Sequence, residues 1–244
     1  MNRYWSNIVE PILNYRSAKS IIEIGVAGGH NTKNLIEYCS KKSSKYIGID
    51  PFPLINIDDL KNKHDFITFY KDISLNALPQ IDEFDVLLID GDHNWYTVFN
   101  ELKIIESKVK NTNQFPLIFL HDISWPYGRR DMYYNPDIIP RGYRKPYAKL
   151  GIEKGKSRLK DSPKNRSNSI NRHLNNALYE GGTQNGVLTA IEDFLKSTTM
   201  PVGFEKIDLF HGLGVLFPKN SKNELQSFIQ QRLRYAEKVN RKNI

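Results

Sequence analysis

The sequence has a single cysteine, Cys39, among 244 residues. One cysteine cannot form an intrachain disulfide, and it cannot build a cysteine-rich zinc site. The longest apolar runs, such as Val86–Ile89 and Pro116–Leu120, have the length of strands, whereas a membrane-spanning helix needs about 20 apolar residues in succession. The first residues also lack the basic-then-apolar layout of a secretory signal. We therefore expect no membrane span and a cytoplasmic location.

The excess of positive charge is confined to one segment. The chain has 35 Lys and Arg against 27 Asp and Glu, a net charge of +8. Ser124–Gly182 alone has 13 basic and 5 acidic residues, so the rest of the chain is neutral. Two interpretations of this segment stay open. Lys154–Asn176 has few apolar residues to bury, which favours a solvated loop. Trp125–Tyr147 is dense in Arg and Tyr, which favours a lid that attracts an anionic substrate and stacks rings on it.

Strand-like apolar segments alternate with helical segments through the first half of the chain. The predicted strands are 20–26, 45–50, 66–73, 84–90 and 115–122, and the predicted helices are 4–16, 32–39, 58–63 and 94–109. This alternation predicts right-handed βαβ units and a mostly parallel sheet. The remaining elements are helices at 185–197 and 222–241 and an antiparallel hairpin of 204–210 with 214–219. We expect one α/β domain over 1–244: a doubly wound, seven-stranded sheet with a C-terminal hairpin, and a basic inserted lid at 124–184 after strand five.

The turn after the first predicted strand has the features of a cofactor loop. Gly25, Gly28 and Gly29 follow Glu23 with the spacing G-x-x-G-G, which differs from the G-x-G-x-x-G dinucleotide pattern. In a doubly wound sheet, ligands bind beyond the carboxyl ends of the strands. Glycines let the backbone approach a flat cofactor, Glu23 supplies an acceptor for a cationic group, and a helix N-terminus donates to a carboxylate. This set suits an amino-acid-like cofactor, although a purely structural turn is the alternative.

Acidic residues end the second and third predicted strands. Asp50 lies 22 residues beyond Gly28, a distance at which a carboxylate accepts both ribose hydroxyls of an adenosine. The alternative for Asp50 is a turn residue before Pro51. Asp72 has the corresponding position after the third strand, where it would reach the adenine amine.

Three segments of the chain together resemble a known family. EIGVAGGHNT, YIGID and FDVLLIDGDHNWYTVFNELK resemble the class I S-adenosylmethionine-dependent methyltransferases, and more narrowly the branch of metal-dependent sugar O-methyltransferases such as the macrocin and mycinamicin enzymes. The resemblance covers about residues 18–125. It implies a Rossmann-like methyltransferase fold, S-adenosyl-L-methionine as cofactor, and methylation of a hydroxyl on a sugar-containing or anionic small molecule.

Potential ligands and bases follow the fourth and fifth predicted strands, at Asp90-Gly-Asp-His93 and His121-Asp122. Unpaired carboxylates are costly to bury, and carboxylates from neighbouring strands can share a hard cation such as Mg²⁺. By resemblance, Asp90 matches a metal carboxylate that also lies against the cofactor, His93 matches the general base, and Asp122 matches a metal ligand. His121 departs from the family pattern, which has an acidic residue there. With His121 at this position the site would bind the metal more weakly or bind a softer metal, or His121 would act as a second base instead.

The residues that follow the fifth strand are predicted to contact the acceptor. They are Trp125, Tyr127, Arg129, Arg130 and Tyr133. Guanidinium groups present paired donors to carboxylate or phosphate, and the aromatic rings can stack on a sugar face. A local Arg-Arg-Asp ion-pair hinge is the alternative for the two arginines.

Three other functions stay open on the sequence. An RNA methyltransferase is favoured by the basic, tyrosine-rich insertion, but the chain has no separate RNA-binding module. A metal-dependent hydroxylase on the same scaffold and a cofactor-binding protein without catalysis are the others. A homo-oligomer would use the N- and C-terminal helices as contact surfaces.

Overall fold

The computed structural model describes residues 1–112, 114–161, 168–219 and 223–241. The chain divides into two compact units. The first, which we call the sheet unit, comprises Met1–Gly91, Ile104–His121 and Thr199–Ile244. The second, the insertion unit, comprises Asp92–Lys103 and Asp122–Thr198. The insertion unit includes the expected lid, 124–184, and adds the start of one helix and the whole of another.

The sheet unit is built on a seven-stranded sheet. In chain order its strands are β1 (Ser20–Ile24), β2 (Lys45–Ile49), β3 (Ile67–Tyr70), β4 (Val86–Ile89), β5 (Leu117–His121), β6 (Val202–Ile207) and β7 (Leu213–Pro218). The spatial order is β3-β2-β1-β4-β5-β7-β6, with β1 to β5 parallel and β7 antiparallel to both of its neighbours. The predicted doubly wound sheet with its closing hairpin is confirmed. Strand order reverses between β1 and β4, which is where such sheets bind ligands.

The predicted helices are present with small shifts at their ends. They are α1 (Glu10–Arg16), α2 (His30–Lys42), α3 (Ile57–Lys63), α5 (Trp95–Val109), α6 (Val187–Ser197) and α7 (Glu224–Arg241), with a further short helix α4 (Ser74–Ala77). Among the described residues, none of the helices is both long enough and apolar enough to cross a membrane.

The N-terminal helix differs from the regular helix predicted over 4–16. It starts as a 3₁₀ turn at Asn2–Tyr4, continues as π-helix over Trp5–Val9, and becomes α-helical only at Glu10. Pro11 is the physical reason, because proline has no N–H to donate to the carbonyl four residues earlier. That carbonyl belongs to Asn7, and it accepts a hydrogen bond of 2.8 Å from Arg232 Nε on α7 instead.

The core of the sheet unit lies on the face of the sheet that the N-terminal helices, α2 and α7 cover. Strand residues such as Leu88 and Phe119 are buried there together with the apolar stripe of α7. That stripe consists of Leu225, Ile229, Leu233 and Ala236, whose spacing of three and four residues keeps them on one side of the helix. The packing of α7 therefore follows the pattern predicted from its sequence.

The insertion unit has a smaller core around three short antiparallel strands, Met132–Tyr133, Tyr147–Ala148 and Asn175–Ala177. Tyr127, Met132, Ile152 and Leu159 are buried together beside them. Most described residues of Lys154–Asn176 are exposed, as expected for a solvated loop, whereas Leu159 is buried and residues 175–176 belong to a strand. Residues 162–167 lie outside the described residues.

Buried charged groups cross-link the insertion unit. The Asp131 carboxylate accepts hydrogen bonds from Trp95 N at 2.8 Å, Gly186 N at 2.6 Å and Tyr133 Oη at 2.8 Å. Trp95 is the first residue of α5, and Gly186 directly precedes α6. One carboxylate therefore accepts hydrogen bonds from backbone amides at two helix N-termini, where the helix itself provides no acceptor. Arg130 has no exposed surface, and its guanidinium donates to the carbonyls of Ala177 and Ser157.

Replacing Asp131 by Ala should destabilise the protein by about 3 kcal/mol or more, because it leaves buried donors without their acceptor. Urea denaturation followed by circular dichroism measures the free energy of unfolding. Asp131→Asn, which keeps one carbonyl acceptor, should lose less. Asp137→Ala removes an exposed carboxylate that pairs with Arg144 and should change stability by less than about 1 kcal/mol. Equal losses at positions 131 and 137 would contradict this role.

Candidate active site

The loop after β1 passes close to the end of β4. Gly25 has a φ of +89°, and a Cβ atom on it would lie 2.3 Å from the carbonyl oxygen of Asp90. No L-residue with a side chain fits that approach, so the glycine is required by the backbone. Gly29 also has a positive φ, +73°, and precedes the first residue of α2, whereas Gly28 is exposed. The carboxyl ends of β1 and β4 are thereby held together.

Asp50, directly after β2, shapes that loop. Its Oδ2 accepts hydrogen bonds from Val26 N at 2.9 Å and Ala27 N at 2.8 Å, and its Oδ1 accepts one from Phe52 N at 2.7 Å. An ionised carboxylate has about four acceptor positions, and three of those of Asp50 accept these backbone N–H groups. The fourth position can accept a hydrogen bond from a hydroxyl.

Glu23 lies inside the sheet unit rather than at its open edge. The carboxylate accepts hydrogen bonds from Asn31 Nδ2 at 2.8 Å, Thr32 Oγ1 at 2.6 Å and Tyr46 Oη at 2.5 Å. Burial raises its pKa from 4.5 to about 7 against the effect of these three donors. The predicted contact with a cationic group of the cofactor has no support in this geometry. Glu23 instead joins the first turn of α2 to β1 and β2.

Replacing Glu23 by Gln should make folding stability less dependent on pH. A carboxyl whose pKa rises from 4.5 to about 7 on folding binds more protons in the folded state between those values. Its stabilising contribution is therefore complete below pH 4.5 and is lost as the pH rises through 7. As the pH rises from 4.5 to 7, the free energy of unfolding of the variant should increase relative to that of the wild-type protein by up to about 3 kcal/mol. Denaturation at a series of pH values measures this difference. A constant difference would mean that the pKa of Glu23 is unshifted.

Asp72 is half-buried after β3. Its Oδ1 accepts hydrogen bonds from Ile73 N at 2.7 Å and Asn76 Nδ2 at 3.1 Å. These bonds tie the carboxylate to the start of α4. The adenine contact predicted for Asp72 stays a prediction.

Asp90 and His121, after β4 and at the end of β5, are brought together in the sheet unit. Asp90 Oδ1 lies 3.2 Å from His121 Nδ1, and Asp90 Oδ2 accepts a hydrogen bond of 2.8 Å from the amino group of Met1. The ring of Tyr4 packs edge-on against His121, with 5.7 Å between ring centroids. The carboxylate of Asp90 is thus surrounded by nitrogen donors.

His93 and Asp122 form a second pair, in the insertion unit. His93 Nε2 lies 2.8 Å from Asp122 Oδ2, and both residues are buried. The main chain of His93 accepts a hydrogen bond of 2.9 Å from Met132 N, as part of an antiparallel bridge. The imidazole also packs against Tyr127, at 5.2 Å between ring centroids, and Tyr134, at 6.0 Å. A histidine held by a carboxylate and two aromatic rings is oriented for proton transfer.

The five residues predicted to contact an acceptor have different settings. Tyr127 is buried beside His93, and its hydroxyl lies 3.2 Å from Asn176 Oδ1. Trp125 is half-buried and packs against the small core of the insertion unit. Arg129 makes a bidentate ion pair with Glu192, with N–O distances of 2.6 and 2.7 Å. Arg130 and Tyr133 are buried in the cross-links described above. Arg129 thus pairs with Glu192 on α6 rather than with Asp131, and Arg130 donates to main-chain carbonyls. The acceptor contacts predicted for these residues stay predictions.

Tyr134 is the residue beside His93 that the sequence reasoning missed. Tyr133 is buried, whereas Tyr134 is 60% exposed. Met132, two residues before Tyr134, bridges His93, and Tyr134 lies in the bend that follows this short strand. The bridge joins residues that are far apart in the chain, so it could not be read from the sequence.

Two comparisons bear on what this arrangement is. Residues 22–123 match the model of a family described as a methyltransferase domain. A methyltransferase of Podospora anserina, PaMTH1, solved with SAH bound, has a TM-score of 0.51 at 15% identity over 85% of this chain and 75% of that one. A 1,6-didemethyltoxoflavin-N1-methyltransferase of Burkholderia thailandensis has a TM-score of 0.47 at 12% identity, over 87% of this chain and 76% of that one. No curated protein matches the chain.

The sheet is therefore that of a Rossmann-like methyltransferase fold. The family match extends from β1 to just beyond β5, and so includes the loop after β1, Asp50, Asp90 and the His93–Asp122 pair. It supports a class I S-adenosylmethionine-dependent methyltransferase, the broader group to which the sequence motifs pointed. The comparisons give no support to the narrower sugar O-methyltransferase branch.

Proposed function

We propose that this protein is an S-adenosyl-L-methionine-dependent O-methyltransferase that methylates a hydroxyl of a sugar-containing or anionic small molecule. The observation that carries the proposal is the family match over residues 22–123, which includes the ends of β1, β2 and β4 and the residues that follow them, Gly25, Asp50 and Asp90. There the N-terminus of α2 is a donor for a carboxylate, Asp50 is an acceptor for a ribose hydroxyl, and Asp90 is a second carboxylate at the point of strand reversal.

The residues of the sheet unit fit this cofactor. Bound S-adenosyl-L-methionine supplies an electrophilic methyl group on a sulfonium that leaves as a neutral thioether. Within the loop, the amides of Val26 and Ala27 already donate to Asp50, and those of Gly25 and Gly29 donate to main-chain carbonyls, so the N-terminus of α2 is the proposed donor to the carboxylate of the cofactor. Asp50 keeps one acceptor position for a hydroxyl. Glu23 has no direct contact in this scheme, because its carboxylate is committed to Asn31, Thr32 and Tyr46.

His93 is the proposed general base. The imidazole takes the proton of the acceptor hydroxyl as the hydroxyl oxygen forms the new bond to the methyl carbon. The Asp122 carboxylate, 2.8 Å from Nε2, stabilises the imidazolium that results. No acid is needed on the other side, because the leaving group departs uncharged.

A divalent cation is a separate part of the proposal, with Asp90, Asp122 and His121 as its candidate ligands. Two carboxylates suit Mg²⁺, and the imidazole extends the choice to Mn²⁺ or Zn²⁺. A cation held by these groups would lower the pKa of a coordinated hydroxyl, so that the base would remove its proton more easily.

Replacing His93 by Ala should lower kcat by about 10²-fold to 10⁴-fold, the usual contribution of a general base. Isothermal titration calorimetry should give affinities for S-adenosyl-L-methionine and its demethylated product within a few-fold of the wild-type values. His173→Ala, at an exposed histidine of the same unit, is the matched control and should keep full activity. Absence of cofactor binding by the wild-type protein would overturn the proposed function, and activity in His93→Ala would overturn only the base.

Removal of divalent cations should abolish turnover and leave cofactor binding in place. Methyl transfer is measured after dialysis against EDTA, and again after Mg²⁺, Mn²⁺ or Zn²⁺ is added back. We expect recovery of activity with at least one of them. Unchanged turnover in the dialysed protein would rule out the metal and leave His93 and Asp122 as the whole of the proton-transfer machinery.

A further inference from the structure

The exposed aromatic ring nearest to the proposed base is that of Tyr134. Its side chain is 60% exposed, and its ring meets the imidazole of His93 edge-on, with a centroid distance of 6.0 Å and an interplanar angle of 68°. The second ring at His93 belongs to Tyr127, which is buried. Of these two rings, only Tyr134 therefore offers an open face to a bound molecule.

The local backbone holds Tyr134 in this position. Met132 pairs with His93 through an antiparallel bridge and with Asn176 in the small sheet. Tyr133, the next residue, points away, because its hydroxyl donates to Asp131 and accepts from Lys145 N at 2.8 Å. Tyr134 lies in the bend directly after Tyr133, so the bridge at Met132 and the anchored Tyr133 together bring its ring to His93.

We propose that Tyr134 is a specificity-determining residue, whose exposed ring stacks on a ring of the acceptor beside His93. This inference rests on the proposed function and narrows its acceptor to ring-bearing alcohols. Tyr134 contacts the acceptor and exchanges no proton with it.

The geometry favours a ring over an open-chain alcohol. An aromatic face gains most from a flat partner, either the C–H face of a sugar or another aromatic ring, and such contacts contribute beyond the area they bury. Because the Tyr134 ring contacts the imidazole of His93, an acceptor that stacks on Tyr134 is held beside the proposed base. Stacking thus contributes to the positioning that an in-line transfer requires.

The test uses two defined probes, methyl β-D-glucopyranoside for the sugar face and catechol for the aromatic face. Their dissociation constants are measured by saturation-transfer NMR on the full chain with S-adenosylhomocysteine present. Tyr134→Ala should raise the dissociation constant of at least one probe about 10-fold, and Tyr134→Phe, which keeps the ring, should stay within about 3-fold of wild type. Which probe responds identifies the kind of ring.

Tyr179→Ala is the matched control, because Tyr179 is a 52% exposed tyrosine of the same unit that lies under Arg158 rather than at His93. It should leave both constants unchanged. Calorimetric titration of each variant with S-adenosylhomocysteine verifies folding and separates the two proposals. Failure of the wild-type protein to bind this product refutes the proposed function. If the product binds normally, the inference about Tyr134 is overturned by equal probe affinities in all variants, or by no probe binding at all.

Discussion

The close approach of Gly25 to the main chain of Asp90 is the constraint on which the rest of the sheet unit depends. β1 and β4 are neighbours at the point where strand order reverses, so the chain leaves their ends in different directions and opens a crevice between them. A side chain at position 25 would collide with the Asp90 carbonyl. Since β1 cannot end in this way without glycine, the direction of the following loop and the start of α2 both follow from it.

The acidic side chains around that contact have different structural roles, which follow from how deeply each is buried. Asp50 orients the loop amides and keeps one acceptor position, whereas Glu23 is enclosed by hydroxyl and amide donors and has a raised pKa. Asp90 has the amino group of Met1 at one oxygen and Nδ1 of His121 at the other. Carboxylates that look equivalent at strand ends thus differ: Asp50 builds the loop, Glu23 supports it from inside, and Asp90 is the candidate for the proposed chemistry.

Polar cross-links add to the small core of the insertion unit. Buried Asp131 joins two helix N-termini, and buried Arg130 donates to the carbonyls of Ala177 and Ser157. Buried charges of this kind are costly to separate from their partners, which keeps His93 and its aromatic neighbours in one arrangement. The segment expected to be a lid therefore has its own core and cross-links, with Arg130 as an internal part of them.

Hydrophobic periodicity by itself determined β1 to β5, the hairpin and α7, because buried strands and amphipathic helices leave a local pattern in the chain. The positions of Asp50, Asp90 and His93 at strand ends followed from the same pattern. Tertiary structure alone decided which polar groups face each other: Glu23 turned inward, Arg130 became buried, and Tyr134 rather than Tyr133 came to lie at His93. Those outcomes depend on partners up to tens of residues away, and a hydrogen bond between distant residues leaves no periodic trace in the sequence.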